Sequence, residues 1–97
     1  MQNSYIRMDL AIYDGMKGTL KLTDKSLDFV PKKGKGFTIP VGDIKKHSFI
    51  KTALTTSTLY VNEVEITVCR AHLWSADISR LLQFKHENGY TKEIEGS

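Results

Sequence analysis

The chain has 97 residues, which suffices for one small domain and leaves no room for a second. Its hydrophobic fraction of 40% and charged fraction of 26% are ordinary for a globular protein. Its apolar runs fall short of the roughly 20 residues that a membrane-spanning helix needs. Arg7 and Asp9 interrupt the N-terminal apolar pattern, which differs from that of a secretory signal peptide. Cys69 is the single cysteine and excludes an internal disulfide, so we expect a cytoplasmic protein.

The net charge of +3 is unevenly distributed along the chain. Residues 1–51 carry ten Lys or Arg against five Asp, whereas residues 52–97 carry four Lys or Arg against six acidic residues. A basic N-terminal half predicts an anionic partner, such as lipid headgroups or nucleic acid. A solvated sheet surface would carry the same charges, and both interpretations stay open.

The first predicted strand covers residues 5–13 and alternates at period two. Its even-numbered positions are all apolar: Ile6, Met8, Leu10 and Ile12. A two-residue turn at Asp14-Gly15 would set Leu20 of the next strand opposite Asp9. A three-residue loop instead pairs Leu10 with Leu20 and keeps every apolar residue on one face. We therefore expect the three-residue loop.

The stretch between Gly18 and Ile44 predicts a three-stranded antiparallel meander, formed by the second, third and fourth strands. The second strand covers 17–22, and the third follows a four-residue turn and covers 27–31. The glycine-containing loop KKGKG at 32–36 then leads into the fourth strand. The expected cross-strand pairs are Leu22 with Leu27, Leu20 with Phe29, and Phe29 with Ile39.

The second half of the chain predicts three more strands and one helix. A weaker strand at 44–51 precedes a hairpin in which 59–61 and 64–68 flank a turn at Asn62-Glu63. The pattern then changes to helical spacing, with one apolar face formed by Trp74, Ile78, Leu81 and Leu82. Asn88-Gly89 is typical of a helix end, which leaves a polar tail at 90–97.

The predicted fold is therefore mainly β (α+β), within a single domain at 1–89. Seven antiparallel strands form a split barrel, which one C-terminal α-helix caps. The large side chain of Trp74 is expected to fill the open end of the barrel.

This order of elements resembles the pleckstrin-homology-like (PH-like) superfold, in particular its GRAM and bacterial PH branches. Gly18-Thr-Leu-Lys-Leu-Thr23 followed by Leu27-Asp-Phe-Val-Pro31 is similar to the family's G-x-L-x-L-T … L-x-F-x-P hairpin. Further matches are Phe37-Thr-Ile-Pro40, Asp43-Ile44, and the helical pattern of Ala71, Trp74 and Ile78. The resemblance spans about residues 5–88 and implies a PH-like fold with a binding function.

Lysines are the candidate residues for binding an anion or a lipid headgroup. The resemblance implies a basic signature that Lys17 and Lys21 match in part, whereas Thr23 stands where the family has Arg. Alternate turns of a meander lie at one end, which predicts a basic rim formed by Lys17, Lys32, Lys33 and Lys35. Each lysine near an anionic membrane contributes about 1 kcal/mol, so the rim alone predicts marginal binding that needs a second signal.

The sequence argues against nucleic acid binding and catalysis. Single-strand binders interleave basic residues with exposed aromatic ones. Phe29 and Phe37 are expected in the core, which leaves Tyr13 and Tyr60. The spacing of Cys69 and His72 lacks the second pair of ligands that a zinc site requires, so we expect no metal and no cofactor.

The helix start carries further polar residues that a catalytic interpretation would have to use. His72, Ser75 and Asp77 lie there, where Ser and Asp favour capping, and no second element is predicted to converge on them. We therefore expect a protein that is not an enzyme.

The expected function is a non-enzymatic binding module that mediates protein–protein interaction or self-assembly. Open sheet edges and the flank of the helix are the predicted contact surfaces, with Leu73 and Phe84 as candidate partner-binding residues. The alternative is weak peripheral-membrane or anionic-ligand binding through the basic rim, which would make the protein membrane-peripheral.

Overall fold

The computed structural model describes residues 5–54 and 56–96, with side chains described as far as Phe84. Seven strands precede one helix. The strands are β1 (Arg7–Tyr13), β2 (Met16–Leu22), β3 (Ser26–Pro31), β4 (Phe37–Pro40), β5 (His47–Lys51), β6 (Ser57–Val61) and β7 (Val64–Val68). The helix is α1 (Ala71–Gly96), and a short 3-10 turn (Val41–Asp43) joins β4 to β5.

All seven strands belong to one antiparallel sheet in the order β4-β3-β2-β1-β7-β6-β5. The sequence-distant strands β1 and β7 pair at its centre, and β4 and β5 form its two edges. Helix α1 packs over β5, β6 and the 3-10 turn. The predicted mainly β fold with one C-terminal helix is confirmed.

The core lies between the inner face of the sheet and α1. Trp74 and Ile78 enter it from the helix, and both are fully buried. The inner face of the sheet contributes the remaining large side chains: Leu20, Leu22, Leu27, Phe29, Leu59, Val61 and Ile66. The predicted pairs of Leu22 with Leu27 and Leu20 with Phe29 are present, as is the β6–β7 hairpin around Asn62-Glu63.

The predicted pairing of β1 with β2 is wrong by one residue. Asp14 and Gly15 form a two-residue turn with φ angles of +54° and +78°, which is the type I′ geometry that suits a hairpin. Leu20 therefore lies opposite Asp9, and Leu10 lies opposite Thr19. Since a one-residue shift exchanges the two faces of a strand, the apolar side chains of β1 point away from the core.

The polar residues of β1 face inward because α1 supplies partners for them. Arg7 Nε donates a hydrogen bond to Asp77 Oδ2 at 2.5 Å, and Trp74 Nε1 donates to Asp9 Oδ2 at 2.9 Å. Arg70 also pairs with Asp9, at 3.5 Å. These partners lie more than sixty residues away in sequence, so the alternation within β1 carries no sign of them.

The β3–β4 pairing and the helix end also differ from the predictions. Phe29 lies opposite Phe37 rather than Ile39, a two-residue shift that leaves the same side chains inward. Helix α1 continues through Asn88-Gly89 to Gly96, so the expected helix end is wrong and residues 90–96 of the expected tail are helical. One glycine inside a helix costs only about 1 kcal/mol, so Gly89 alone does not force the helix to end.

Candidate docking face

The outer surface of the sheet carries a contiguous apolar patch centred on β1. Leu10 is its most exposed member at 76%, and Val30 of β3 is 55% exposed. Leu10 and Val30 both flank Thr19 in register, so all three lie in one row across the sheet. Met8 and Ile12 lie on either side of Leu10 in β1. We call the group of Met8, Leu10, Ile12 and Val30 the outer patch. Isolated exposed apolar residues are normal in proteins, whereas large contiguous groups of them are typical of interaction surfaces.

Lysines of the neighbouring strands border the outer patch. Lys21 lies opposite Met8, and Lys17 lies opposite Ile12. Lys32 adjoins Lys17, since the backbone N–H of Lys32 donates to the carbonyl oxygen of Lys17 at 3.0 Å. The patch therefore combines aliphatic side chains with three cations.

A groove of about 390 Å³ runs along β1 within this face. We call it the outer groove, and it is lined by Leu10, Ala11, Ile12, Lys17, Gly18, Lys32, Thr56, Thr67, Val68 and Cys69. Its walls are mainly apolar, and Lys17 and Lys32 are its charged residues. Cys69 is exposed in the groove.

The remaining predicted lysines lie beside this face rather than in the groove. Lys33 and Lys35 are exposed in the β3–β4 loop, and Lys35 shares a shallow depression with Lys21. The loop lies near the β1–β2 hairpin, because Gly34 lies next to the sulfur of Met16. The structure thus brings Lys17 and Lys32 together, while the part of all five lysines in anion binding stays a prediction.

The two sheet edges carry features that protect them from pairing. Strand β4 has four residues and ends at Pro40, which lacks the backbone N–H needed to extend a ladder. Strand β5 ends at Lys51, and Lys46 directly precedes it. Short edges with proline and lysine discourage a further strand from adding to the sheet. The outer patch is therefore a better contact surface than either edge.

The predicted partner-binding residues on the helix are separate from each other. Leu73 is half-buried and Phe84 is 63% exposed, about 16 Å apart along the helix axis. Asp77 and Arg80, which form an ion pair, lie between them on the same side of the helix. Their role in partner binding stays a prediction.

A histidine and a serine meet where β5 contacts α1. His47 Nδ1 and Ser75 Oγ lie 2.8 Å apart, and burial lowers the pKa of His47 below its usual value of 6.5. A serine nucleophile requires a base that a third group orients. Among the described hydrogen bonds, that of His47 is with Ser75, and no carboxylate contacts its ring.

The described part of the chain contains neither a cluster of metal-ligating side chains nor a membrane-spanning helix. No three His, Cys, Asp or Glu side chains come together there as a metal site would require. No helix in the described part of the chain has the length and apolar character needed to cross a bilayer.

Tyr13, an aromatic candidate for an outward position, instead packs edge-on against Phe29 and Phe37.

Solved structures include a fold similar to that of this chain. No protein-family model matches the chain, and no curated protein matches it. A solved structure with a similar fold is the C-terminal domain of an unknown protein from Leishmania infantum. It aligns with a TM-score of 0.55 at 19% sequence identity, covering 82% of this chain and 85% of that chain. At this identity the likeness shows the fold alone.

The outer patch and the outer groove are the features that the sequence interpretation missed. Both follow from the register of β1, which depends on whether the β1–β2 turn has two residues or three. The Asp14-Gly15 dipeptide was the available signal, because Asp-Gly strongly favours a two-residue hairpin turn.

Proposed function

We propose that this chain is a non-enzymatic binding module of the PH-like type and that it binds an anionic membrane surface through the outer patch. The observation that carries the proposal is the 76% exposure of Leu10 within an apolar patch that lysines border. The order of seven antiparallel strands followed by one helix is compatible with the PH-like type.

Charge and apolar area act together in this proposal. Lysines alone give weak and salt-sensitive attraction to an anionic surface, and stable binding needs a second contribution. Leu10 and Val30 provide that contribution, since their side chains can leave water for the boundary between headgroups and acyl chains. Lys17 and Lys21 lie in the neighbouring strand and would contact phosphates when Leu10 enters the interface.

Cosedimentation with vesicles tests the proposal. We expect the chain to bind vesicles of phosphatidylcholine mixed with phosphatidylglycerol, and to bind pure phosphatidylcholine far less. Leu10→Ser should weaken this binding about tenfold, and Lys17→Ser about fivefold. Added salt should weaken binding by the unsubstituted chain, because exposed charges are screened.

Matched controls lie on the same molecule. Ile50 is 54% exposed on the edge strand β5, and Lys25 is exposed in the β2–β3 turn. Ile50→Ser and Lys25→Ser should leave vesicle binding unchanged. Equal binding to both vesicle types, or equal losses from the control substitutions, would contradict the proposal.

Protein–protein interaction is the second candidate function, and exposed Leu10 and Val30 favour it as well. In its self-assembly form, the chain would dimerise through the outer patch. Sedimentation equilibrium would then show a concentration-dependent dimer that Leu10→Ser abolishes. The clustered lysines oppose this form, because two copies meeting face to face would bring like charges together.

A further inference from the structure

We propose that the outer groove binds one molecule of an anionic single-chain amphiphile, such as a fatty acid, with its carboxylate at Lys17 and Lys32. The inference rests on the proposed function, because the groove lies in the face that would meet lipid. It goes further by assigning a discrete, saturable site to a single ligand molecule.

The shape of the groove fits a small ligand. Its volume of about 390 Å³ lies within the range of ligand sites in proteins, roughly 300–1,000 Å³. The exposed side chains of Leu10 and Ile12 on β1 line the groove, as does the exposed Cys69 just after β7. An alkyl chain lying along β1 would contact Leu10 and Ile12.

The charge of the groove selects an anion. Lys17 lies on β2 and Lys32 directly follows β3, and a backbone hydrogen bond of 3.0 Å joins the two residues. The ten lining residues include no Asp or Glu. Among the described residues, neither lysine forms an ion pair with a carboxylate. A bound carboxylate would relieve the repulsion between the two ammonium groups and accept hydrogen bonds from both.

The apolar lining and the two lysines together favour a ligand that has both an alkyl chain and a negative charge. Inorganic phosphate could use Lys17 and Lys32 but would leave the apolar walls in water. A neutral lipid could fill the walls but would leave two cations without a partner. An anionic amphiphile satisfies both parts of the site, with the hydroxyls of Thr56 and Thr67 available for further polar contacts.

The single cysteine of the chain reports directly on occupancy of this groove. Cys69 is exposed among the lining residues, so its reaction with a disulfide reagent should slow when a ligand covers it. We would measure that rate against increasing decanoate below its micelle concentration. Decyl maltoside and decyltrimethylammonium would serve as neutral and cationic probes with the same alkyl chain.

Decanoate should protect Cys69 in a saturable manner, and the neutral and cationic probes should protect it far less. Lys17→Ser and Lys32→Ser should each raise the decanoate concentration needed for half-protection about fivefold. Lys25 lies outside the groove, so Lys25→Ser should leave the decanoate concentration for half-protection unchanged. Unfolding by the amphiphile would increase the reactivity of Cys69, so it cannot imitate protection. Equal protection by all three probes, or none by decanoate, would overturn the inference.

Parallel vesicle measurements separate this inference from the proposed function. Vesicle binding without protection of Cys69 by monomeric decanoate would overturn the groove site and leave membrane docking intact. Protection by decanoate without vesicle binding would overturn membrane docking and support the groove as a site for free amphiphile.

Discussion

Asp77 is the most buried charged group described in the chain, with a side chain that is 4% exposed. Arg7 reaches it from β1, and Arg80 reaches it from the next turn of α1. The Arg7 side chain is 25% exposed, whereas that of Arg80 is 72% exposed. Exposed ion pairs contribute little to stability. Of the two ion pairs of Asp77, that with Arg7 therefore contributes most to stability.

Asp77→Ala should lower the free energy of unfolding by about 2–4 kcal/mol, because it leaves the partly buried Arg7 without its counter-charge. Arg80→Ala should cost less than about 1 kcal/mol. Denaturant unfolding with a constant m-value measures both changes. Similar losses from the two substitutions would show that Arg7 does not depend on Asp77.

His47 should make stability depend on pH. Burial lowers the pKa of His47 in the folded chain, so below the unfolded value of about 6.5 the unfolded state binds more protons. Stability should therefore fall as the pH drops through 6.5 and level off below the folded pKa. Thermal melts of His47→Gln should lack this component, and those of His72→Gln, which alters an exposed helix residue, should keep it. An undiminished pH dependence in His47→Gln would refute the assignment.

At the level of elements, the β3–β4 connection depends on one close backbone approach. A Cβ atom on Gly36 would lie 1.8 Å from the carbonyl oxygen of Phe29, and on Gly42 it would have open space around it. Gly36→Ala should therefore cost more than about 2 kcal/mol, whereas Gly42→Ala should change stability by less than about 0.5 kcal/mol. Urea unfolding compares the two, and a tolerated Gly36→Ala would mean that β4 can move away from β3.

Helix α1 is attached to the sheet chiefly through Trp74. The side chain is fully buried, and its Nε1 donates to Asp9 at 2.9 Å. Trp74→Ala should cost about 3–5 kcal/mol through the cavity that it leaves. Trp74→Phe removes the hydrogen bond with a smaller change in volume, and it should cost less than the alanine substitution. A melting temperature unchanged by Trp74→Ala would contradict the packing of the helix against the sheet.

For the whole molecule, all seven strands were predicted, that at 44–51 in spite of its irregular alternation, but alternation could not decide which face of β1 lies inside. The β2–β3 and β6–β7 hairpins were predicted in register, because apolar residues there face a core built by the same residues. In β1 the inward residues Arg7 and Asp9 are polar, and their partners Asp77 and Trp74 lie on the distant α1. The lysines of the candidate site were predicted. The apolar patch beside them was not, because it exists only in the observed register of β1.

Leu10 provides the test of which face of the sheet is the inside. The side chain is 76% exposed, so Leu10→Asn should change the free energy of unfolding by less than about 0.5 kcal/mol. If Leu10 instead packed against Leu20 in the core, the same substitution would bury an amide without a partner and cost several kcal/mol. Leu22→Ala at a fully buried position should cost about 2–5 kcal/mol and serves as the reference for a core site.

Equal losses from the two substitutions would refute the outward direction of the apolar side chains of β1, and with it the outer patch and the outer groove. A neutral Leu10→Asn that also loses vesicle binding would separate function from stability at this residue.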